Sequence, residues 1–277
     1  MVKSKFGQIL IHLVLIIVVI FSLLPFLNMI STSLIPNTYV LPSKPQIIPK
    51  QFYFGNYVNV WAGENFSRYF ANSLFVTAAN TILTLFIASL SGYGFARLKF
   101  PGKKIIFNIY IFSLMMPAVL ALVSQFTILQ RLHLVDTYTG LLLLYISGGI
   151  AGNTFFLKGF FETIPRELEE SIIMDGGNKW TIYRKIILPL SKPALATMAI
   201  GTFSATWMEV FTALTVLKTQ SKRTLPIAVK LLQNGKATQW GVVFAAAIIV
   251  LIPIIAIFIV FNKQFIKSGG SEGAVKG

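Results

Sequence analysis

The sequence predicts an all-α membrane protein with six transmembrane helices. The chain is 55% hydrophobic, and only 12% of its 277 residues are charged. A soluble domain carries about a quarter charged residues, so this composition indicates a lipid environment. Six separate apolar runs each reach the roughly 20 residues that a helix needs to cross a bilayer.

The first predicted element is a transmembrane helix over residues 1–30, followed by an external loop over residues 31–68 that contains several prolines. A cleaved signal peptide is the alternative for the helix, because the small residues at 31–33 could mimic a cleavage site. The apolar run is longer than the roughly 7–15 residues of a signal-peptide core. We therefore interpret it as an uncleaved helix.

The rest of the chain is predicted to be a transmembrane core over residues 69–261 and a cytoplasmic tail over residues 262–277. The five remaining spans are expected at residues 69–92, 105–126, 140–160, 193–215 and 239–261. Pro117 is expected to kink the third span. Gly148 and Gly152 have GxxxG spacing, which predicts close approach of a neighbouring helix.

The basic residues indicate how the chain is oriented in the membrane. Six spans place both termini on one side, and with that side inside, 15 of the 24 basic residues fall in inner segments. Cytoplasmic loops are enriched in Lys and Arg, so we predict cytoplasmic termini, although the basic outer loop at 216–238 opposes this orientation. The net charge of +15 is spread over membrane loops, which predicts no nucleic-acid partner.

No constellation of residues predicts catalysis, a metal site or a cofactor. The chain has no cysteine, and its two histidines, His12 and His133, are far apart in sequence. It has no phosphate-binding GxxxxGK[ST] motif, so energy for transport would come from another chain or an ion gradient. A membrane-embedded enzyme is disfavoured because no paired carboxylates or Ser/His/Asp set lies at one depth.

The polar segment 161–192 predicts a helix, a glycine turn and a second helix. Three glutamates occupy the first turns of the first helix, where the helix dipole stabilises negative charge. Gly176 and Gly177 are expected to end that helix, because glycine adopts the left-handed conformation of a C-terminal cap. Asn178 is expected to cap the second helix.

The first helix of this segment has a narrow apolar stripe formed by Leu168, Ile172 and Ile173. A stripe of about two turns cannot stabilise an isolated helix, so it predicts a partner surface. The alternative is a solvated connection or an interfacial helix that touches only lipid headgroups. An acidic first turn fits poorly against an anionic leaflet.

The same segment resembles the EAA signature of importer permeases of the ABC class. Matching positions are Glu170, Ser171, Ile172, Gly176, Ile186, Leu188 and Pro189. Ser171 and Ile172 replace two alanines of the signature, and Gly177 stands where alanine is common. The resemblance implies contact with an ATPase subunit. The residues it assigns to coupling are Glu169, Glu170, Ser171, Ile172, Asp175, Gly176, Ile186, Leu188 and Pro189.

Further matches extend this resemblance from the first helix to the end of the chain. They lie at residues 68–74, 93–98, 224–226, 240 and 273–277, and they are similar to carbohydrate ABC permeases of the maltose-type second subunit. This implies a type I ABC importer permease core with a cytoplasmic coupling helix. Met208 departs from the pattern, because the family usually has asparagine between Trp207 and the following acid.

The resemblance implies a non-catalytic permease subunit of an ATP-driven oligosaccharide importer, multi-pass in the cell membrane. The implied partners are a companion permease in a heterodimer, two ATPase subunits, an extracellular sugar-binding protein, the lipid bilayer and an oligosaccharide. Glu170 would pair with a basic group of the ATPase, or would only stabilise the helix dipole. The tail would insert between the ATPase subunits, or would be a frayed terminus. Its residues are Gly273, Ala274, Val275, Lys276 and Gly277.

Four polar or aromatic residues in the predicted spans are candidates for a substrate pathway, with helix–helix contacts as the alternative. They are Asn72, Gln125, Trp207 and Glu209. An ion-coupled secondary sugar transporter is the alternative function, but it would require intramembrane carboxylates or histidines. Glu209 is the only acid placed inside a predicted span. Neutral oligosaccharides and uronic oligomers both remain open as substrates.

Overall fold

The computed structural model describes residues 5–36, 39, 46–49, 51–63, 65–233 and 238–271, and every regular element in these ranges is helical. Four helices are long and apolar enough to cross a bilayer, namely Gly7–Ser33, Phe66–Arg97, Tyr138–Glu162 and Trp240–Phe261. Two bent helix pairs raise the number of candidate spans to six if each pair is one span. The predicted all-α membrane fold is confirmed.

We number the described helices in chain order. They are α1 (Lys5–Ser33), α2 (Gly55–Ala62), α3 (Phe66–Arg97), α4 (Lys103–Met115), α5 (Ala118–Arg131), α6 (Tyr138–Glu162), α7 (Glu167–Met174), α8 (Lys179–Leu190), α9 (Lys192–Trp207), α10 (Phe211–Val216), α11 (Leu225–Gln233) and α12 (Trp240–Ser271). Helix α8 contains one π-helical turn over Tyr183–Ile187.

The first of two compact units comprises residues 1–67 and 228–252. In this unit, α2 lies within the segment predicted as an external loop, and its Asn56 is buried. The Asn56 amide donates to the carbonyls of Ser33 and Ile35 at 2.8 and 2.9 Å. Gly241 approaches closely, since a Cβ there would lie 2.6 Å from the Asn56 amide nitrogen. These contacts hold α2 against the end of α1.

The second unit comprises residues 68–227 and 253–277, and two apolar clusters hold it together. The larger cluster joins the C-terminal half of α3 to α6, α8 and α9 through buried side chains that include Leu157, Phe161, Ile182 and Ile187. The smaller cluster joins the N-terminal half of α3 to α5, α6 and α10 around Val76. Helix α3 is therefore the common support of both clusters.

Two predicted spans are broken in the structure. The third was expected to be one kinked helix, but α4 and α5 are separated at Met116, whose ψ of 124° is extended. Proline disfavours helical backbone at the residue before it, so Pro117 interrupts the helix completely. The fifth was expected to reach residue 215, but α9 ends at Trp207 and a short α10 follows.

Asp136 fixes the connection between α5 and α6 to the segment after α10. One carboxylate oxygen accepts the backbone N–H groups of Lys218 and Thr219 at 2.9 Å each. The other accepts the Thr219 hydroxyl at 2.6 Å and the Lys222 ammonium at 3.0 Å. Burial opposes ionisation, but these hydrogen bonds outweigh it and hold the pKa of Asp136 well below its usual range.

Replacing Asp136 with alanine is expected to destabilise this unit by about 1–3 kcal/mol, because the donors lose a charged acceptor. Asp136→Asn should cost less, since an amide oxygen still accepts both backbone groups. The exposed Asp175→Ala is the control and should change nothing. Because the folded pKa is depressed, the stabilisation is complete above about pH 4 and is lost as pH falls toward the folded pKa. Thermal unfolding of the three variants between pH 3 and 7 measures this difference.

Candidate functional site

The polar segment 161–192 folds as the predicted helix–turn–helix. Helix α7 carries three glutamates in its first turn, namely Glu167, Glu169 and Glu170. The Asn178 side chain accepts the Thr181 backbone N–H at 2.9 Å, so it caps α8 as predicted. Both helix starts therefore follow from local sequence signals.

The turn between α7 and α8 has the hydrogen bonds of a Schellman motif. Gly176 is left-handed, with φ of +79°. Its N–H donates to the Ile173 carbonyl at 3.0 Å, and the Gly177 N–H donates to the Ile172 carbonyl at 2.8 Å. This pattern pairs carbonyls that a helix end leaves unsatisfied. The direction of the chain after α7 thus depends on a glycine conformation at position 176.

Two departures from the EAA signature lie against each other in this turn. A Cβ on Gly177 would lie 2.4 Å from the Ile172 Cγ2 atom and 2.9 Å from the Ile172 carbonyl oxygen. Ile172 replaces an alanine of the signature, and Gly177 stands where alanine is common. The larger side chain at position 172 therefore occupies the space that a methyl group at position 177 would need.

This contact predicts that substitutions at the two positions are coupled. Gly177→Ala alone should destabilise the turn by about 1–3 kcal/mol, because Ile172 must leave its position. Adding Ile172→Ala should recover only part of that loss, because the short approach to the backbone carbonyl of residue 172 remains. Thermal unfolding and uptake measured for both single variants and the double variant give the coupling free energy. Additive effects would show that the two departures are independent.

The buried residue of α7 is a glutamate. Leu168 and Ile173 are exposed, whereas Glu169 is only 7% exposed. A carboxylate oxygen of Glu169 lies 2.7 Å from the Arg97 Nε atom, and both side chains are buried. The Arg97 guanidinium also donates to the Ile164 carbonyl. Ile172 of the apolar stripe is partly buried against the larger apolar cluster, and the partner surface expected for the rest of the stripe stays a prediction.

Three polar residues spaced four apart on α3 hold the segment. The Ser89 and Tyr183 hydroxyls are 2.7 Å apart, and the Tyr93 hydroxyl donates to the Lys179 carbonyl at 3.0 Å. Arg97 completes the row through its ion pair with α7. Positions i, i+4 and i+8 share one face of a helix. We call Ser89, Tyr93 and Arg97 the α3 polar row, which attaches both helices of the segment to one rigid element.

The remaining candidates for contact with the ATPase differ in their exposure. Glu170, Ser171, Asp175 and Pro189 are exposed, while Ile186 and Leu188 are partly buried against the larger apolar cluster. Glu170 lines a recess of about 530 Å³ together with Lys99, Arg166 and Lys179. The tail candidates at residues 273–277 lie outside the described residues.

A second candidate site is a cavity of about 590 Å³ among α3, α5, α6, α9 and the start of α10. Its polar lining includes Asn80, Gln125, Tyr145, Asn153, Thr202 and Glu209. Gly148 and Gly152 also line it, and a Cβ on Gly148 would meet nothing within 4 Å. At Gly152 the predicted approach of a neighbouring helix is present, because a Cβ there would lie 3.7 Å from the Leu114 Cδ2 atom of α4, whereas Gly148 leaves open space.

Of the four pathway candidates, the structure brings Gln125 and Glu209 to this cavity. Asn72 instead donates to the carbonyls of Ser221 and Arg223 at 3.0 and 2.9 Å. Trp207 is buried and stacked on Phe203, with ring centroids 5.7 Å apart. Asn72 and Trp207 therefore make contacts within the protein, which was the alternative to a role in the substrate pathway.

Glu209 caps α10 from within the break between α9 and α10. Its carboxylate accepts the backbone N–H groups of Thr212 and Ala213 at 2.7 and 3.0 Å, and the Tyr145 hydroxyl at 2.5 Å. An acid at a helix N-terminus satisfies free N–H groups and the helix dipole. Glu209 was expected to lie within one continuous span, and the hydropathy pattern does not indicate the cap.

No role was assigned from the sequence to the α3 polar row or to Tyr145. The row had a signal, since Ser89, Tyr93 and Arg97 repeat every four residues at the end of an apolar span. Asn80 is another polar residue inside that span, and its amide donates to the Thr206 hydroxyl at 2.8 Å. Polar residues at regular spacing within an apolar helix were therefore the pattern that indicated contacts with other helices.

Apolar helices long enough to cross a bilayer, together with a polar helix–turn–helix, define a multi-pass membrane protein. The chain belongs to the family described as binding-protein-dependent transport system inner membrane component, which matches residues 84–268. Its relatives are ABC transporter permeases, which are non-catalytic subunits. Membership in this family does not support the ion-coupled alternative.

Two bacterial permeases illustrate the similarity. The trehalose transport system permease protein SugB of Mycobacterium tuberculosis is 33% identical over 263 residues, which cover 94% of this chain and 95% of that protein. The arabinooligosaccharides transport system permease protein AraQ of Bacillus subtilis is 34% identical over 232 residues, covering 83% and 82%.

Solved structures confirm the fold. A chain of a bacterial ABC transporter involved in the import of the acidic polysaccharide alginate has a TM-score of 0.81 and 24% identity, covering 96% of this chain and 98% of that one. A chain of the alginate transporter in complex with an alginate pentasaccharide-bound periplasmic protein has a TM-score of 0.67 and 17% identity, covering 94% of each chain. At these sequence identities, the structural similarity establishes the fold alone.

Proposed function

We propose that this chain is one of two permease subunits of an ATP-driven oligosaccharide importer in the cell membrane. Membership in the family of binding-protein-dependent transport components supports the assignment to importers. Similar permeases belong to systems named for trehalose, diacetylchitobiose and arabinooligosaccharide transport, which supports a sugar as the substrate. The companion permease, two ATPase subunits and an extracellular sugar-binding protein complete the proposed assembly.

The observation that supports this proposal is that one side of α7 is attached to α3 and another side is exposed. One side is attached through Glu169 to the α3 polar row. The other leaves apolar side chains uncovered, with Met174 87% exposed and Ile173 also exposed. An exposed apolar patch beside charged residues is typical of a protein-binding surface. We infer that this face docks in a groove of an ATPase subunit.

In this mechanism, α7 and α8 move with α3 when the ATPase subunits close. The ion pair and two hydroxyl contacts make the attachment at three successive turns of α3. Helix α3 also contributes to both apolar clusters of its unit. Displacement of α7 would therefore reach the cavity lined by Asn80, which is on the same helix.

The proposed orientation places this segment and both termini in the cytoplasm. It is supported by the larger number of basic residues in the inner segments. The tail at residues 273–277 is proposed to reach between the ATPase subunits.

Uptake of a radiolabelled oligosaccharide into proteoliposomes tests the proposed function. The sugar is first chosen by a binding screen against the cognate extracellular receptor. Uptake should require ATP on the ATPase side and the receptor on the other side, and it should persist with a protonophore present. Uptake that follows a proton or sodium gradient without ATP would contradict the proposal.

A further inference from the structure

The cavity beside Glu209 has an unusual charge balance for a chain with a net charge of +15. Its lining includes amides, hydroxyls and one carboxylate, and no Lys, Arg or His among the described residues. An ionised substrate would have to approach the Glu209 carboxylate without a compensating cation on this wall. Two like charges in a partly desolvated space repel strongly. The wall therefore suits a neutral ligand rich in hydroxyl groups.

Several lining groups have hydrogen-bonding capacity left for such a ligand. The Glu209 carboxylate accepts three hydrogen bonds, and a carboxylate has about four lone-pair sites. The side chains of Gln125 and Thr212 make no hydrogen bond to another residue that the structure describes. An amide without a partner inside a membrane protein is costly, so a bound hydroxyl-rich molecule would stabilise it.

The cavity also has the room and the aromatic surface that a sugar requires. Its volume of about 590 Å³ lies within the range of roughly 300–1,000 Å³ typical of small-molecule sites. Gly148 on α6 and Gly201 on α9 keep it open, since a Cβ on either would meet nothing within 4 Å. Tyr145 contributes a ring, whose face suits the C–H side of a sugar.

We propose that this cavity is a binding site for neutral oligosaccharides on the translocation pathway and that it discriminates against uronic oligomers. The inference rests on the proposed function, because it assigns a substrate class to that importer. In this proposal, Gln125, Thr212 and Glu209 form hydrogen bonds with sugar hydroxyls. Gly148 and Gly201 leave space for the sugar ring. The acidic sugars that composition and motifs left open are thereby excluded for this wall of the pathway.

Saturation-transfer difference NMR on the assembled transporter without its binding protein tests this assignment. Omitting the receptor removes its own selectivity, and the method detects millimolar affinities. The probes are a panel of neutral trisaccharides built from glucose, galactose or N-acetylglucosamine, with trigalacturonate as the anionic probe. At least one neutral probe should bind about tenfold more tightly than trigalacturonate. Equal or tighter binding of trigalacturonate would overturn the proposal.

Matched glycine variants locate the binding. Gly148→Phe and Gly201→Phe fill the cavity from two helices and should each weaken neutral-sugar binding about tenfold. Gly159→Phe is the control, because Gly159 is also on α6 with open space at its Cβ but does not line the cavity. Thermal unfolding establishes that the variants fold. Unchanged binding in both cavity variants would also overturn the proposal.

Uptake measurements keep this inference separate from the proposed function. ATP-driven uptake with unchanged sugar binding in the cavity variants would refute the cavity assignment and leave the importer function standing. Gradient-driven uptake together with cavity-dependent binding of neutral sugars would refute the importer function and leave the binding site standing.

Discussion

Arg97→Met is expected to reduce ATP-driven uptake at least about tenfold, because it leaves the carboxylate of Glu169 buried without its partner. Breaking a buried ion pair by removing one member costs about 3–5 kcal/mol, which exceeds the roughly 1.4 kcal/mol of a tenfold change. Loss of the ion pair removes this attachment between α7 and α3. Uptake and sugar-stimulated ATP hydrolysis by the reconstituted transporter are the measurements.

Lys104→Met is the matched control for this variant. Lys104 is an exposed cation in the first turn of α4 that does not line the recess beside Glu170, and no ion pair involves it among the described residues. It should retain near-normal uptake. The double variant Arg97→Met with Glu169→Leu removes both charges and should recover part of the activity, since an apolar pair can replace a buried ion pair. Normal uptake in Arg97→Met would show that the ion pair does not position α7.

Gly176→Leu is expected to abolish transport. Gly176 has a φ of +79°, a conformation that costs a residue with a Cβ about 1–2 kcal/mol. A Cβ at this position meets no atom beyond its chain neighbours within 4 Å, so the expected effect comes from the local backbone conformation. The turn would relax by changing the direction from α7 to α8. Uptake should fall to background while ATP hydrolysis becomes insensitive to sugar.

Graded substitutions separate the backbone effect from loss of folding. Gly176→Asn should retain partial uptake, because asparagine tolerates the left-handed conformation better than leucine. Gly159→Leu is the control, since Gly159 also has open space at its Cβ but no positive φ. Full uptake in Gly176→Leu would contradict a role for this turn in coupling.

The features that the sequence predicted correctly depend on short-range signals. Apolar runs of sufficient length marked the membrane helices, since backbone polar groups in lipid must be satisfied within the segment. The cap at Asn178 and the glycine turn at Gly176 followed from residue preferences over three or four positions. Family resemblance added the relationship to importer permeases, which is now established.

The features that the sequence did not reveal depend on distant partners. Glu169 is buried because Arg97, at the end of another helix, lies opposite it. The helix break at Glu209 depends on Tyr145 and on backbone groups of α10, which hydropathy averages into one apolar run. Polar contacts between helices can be judged only when the partner's position is known.

Site-directed photo-cross-linking from α7 tests the central claim most directly. The chain has no native cysteine, so Met174→Cys gives a single attachment point for a photoreactive maleimide. Phe211→Cys, at a side chain that is 80% exposed on α10, is the control. In the assembled transporter, the probe at position 174 should capture the ATPase subunit, and the probe at position 211 should not. Failure of position 174 to capture any nucleotide-hydrolysing chain would contradict the account.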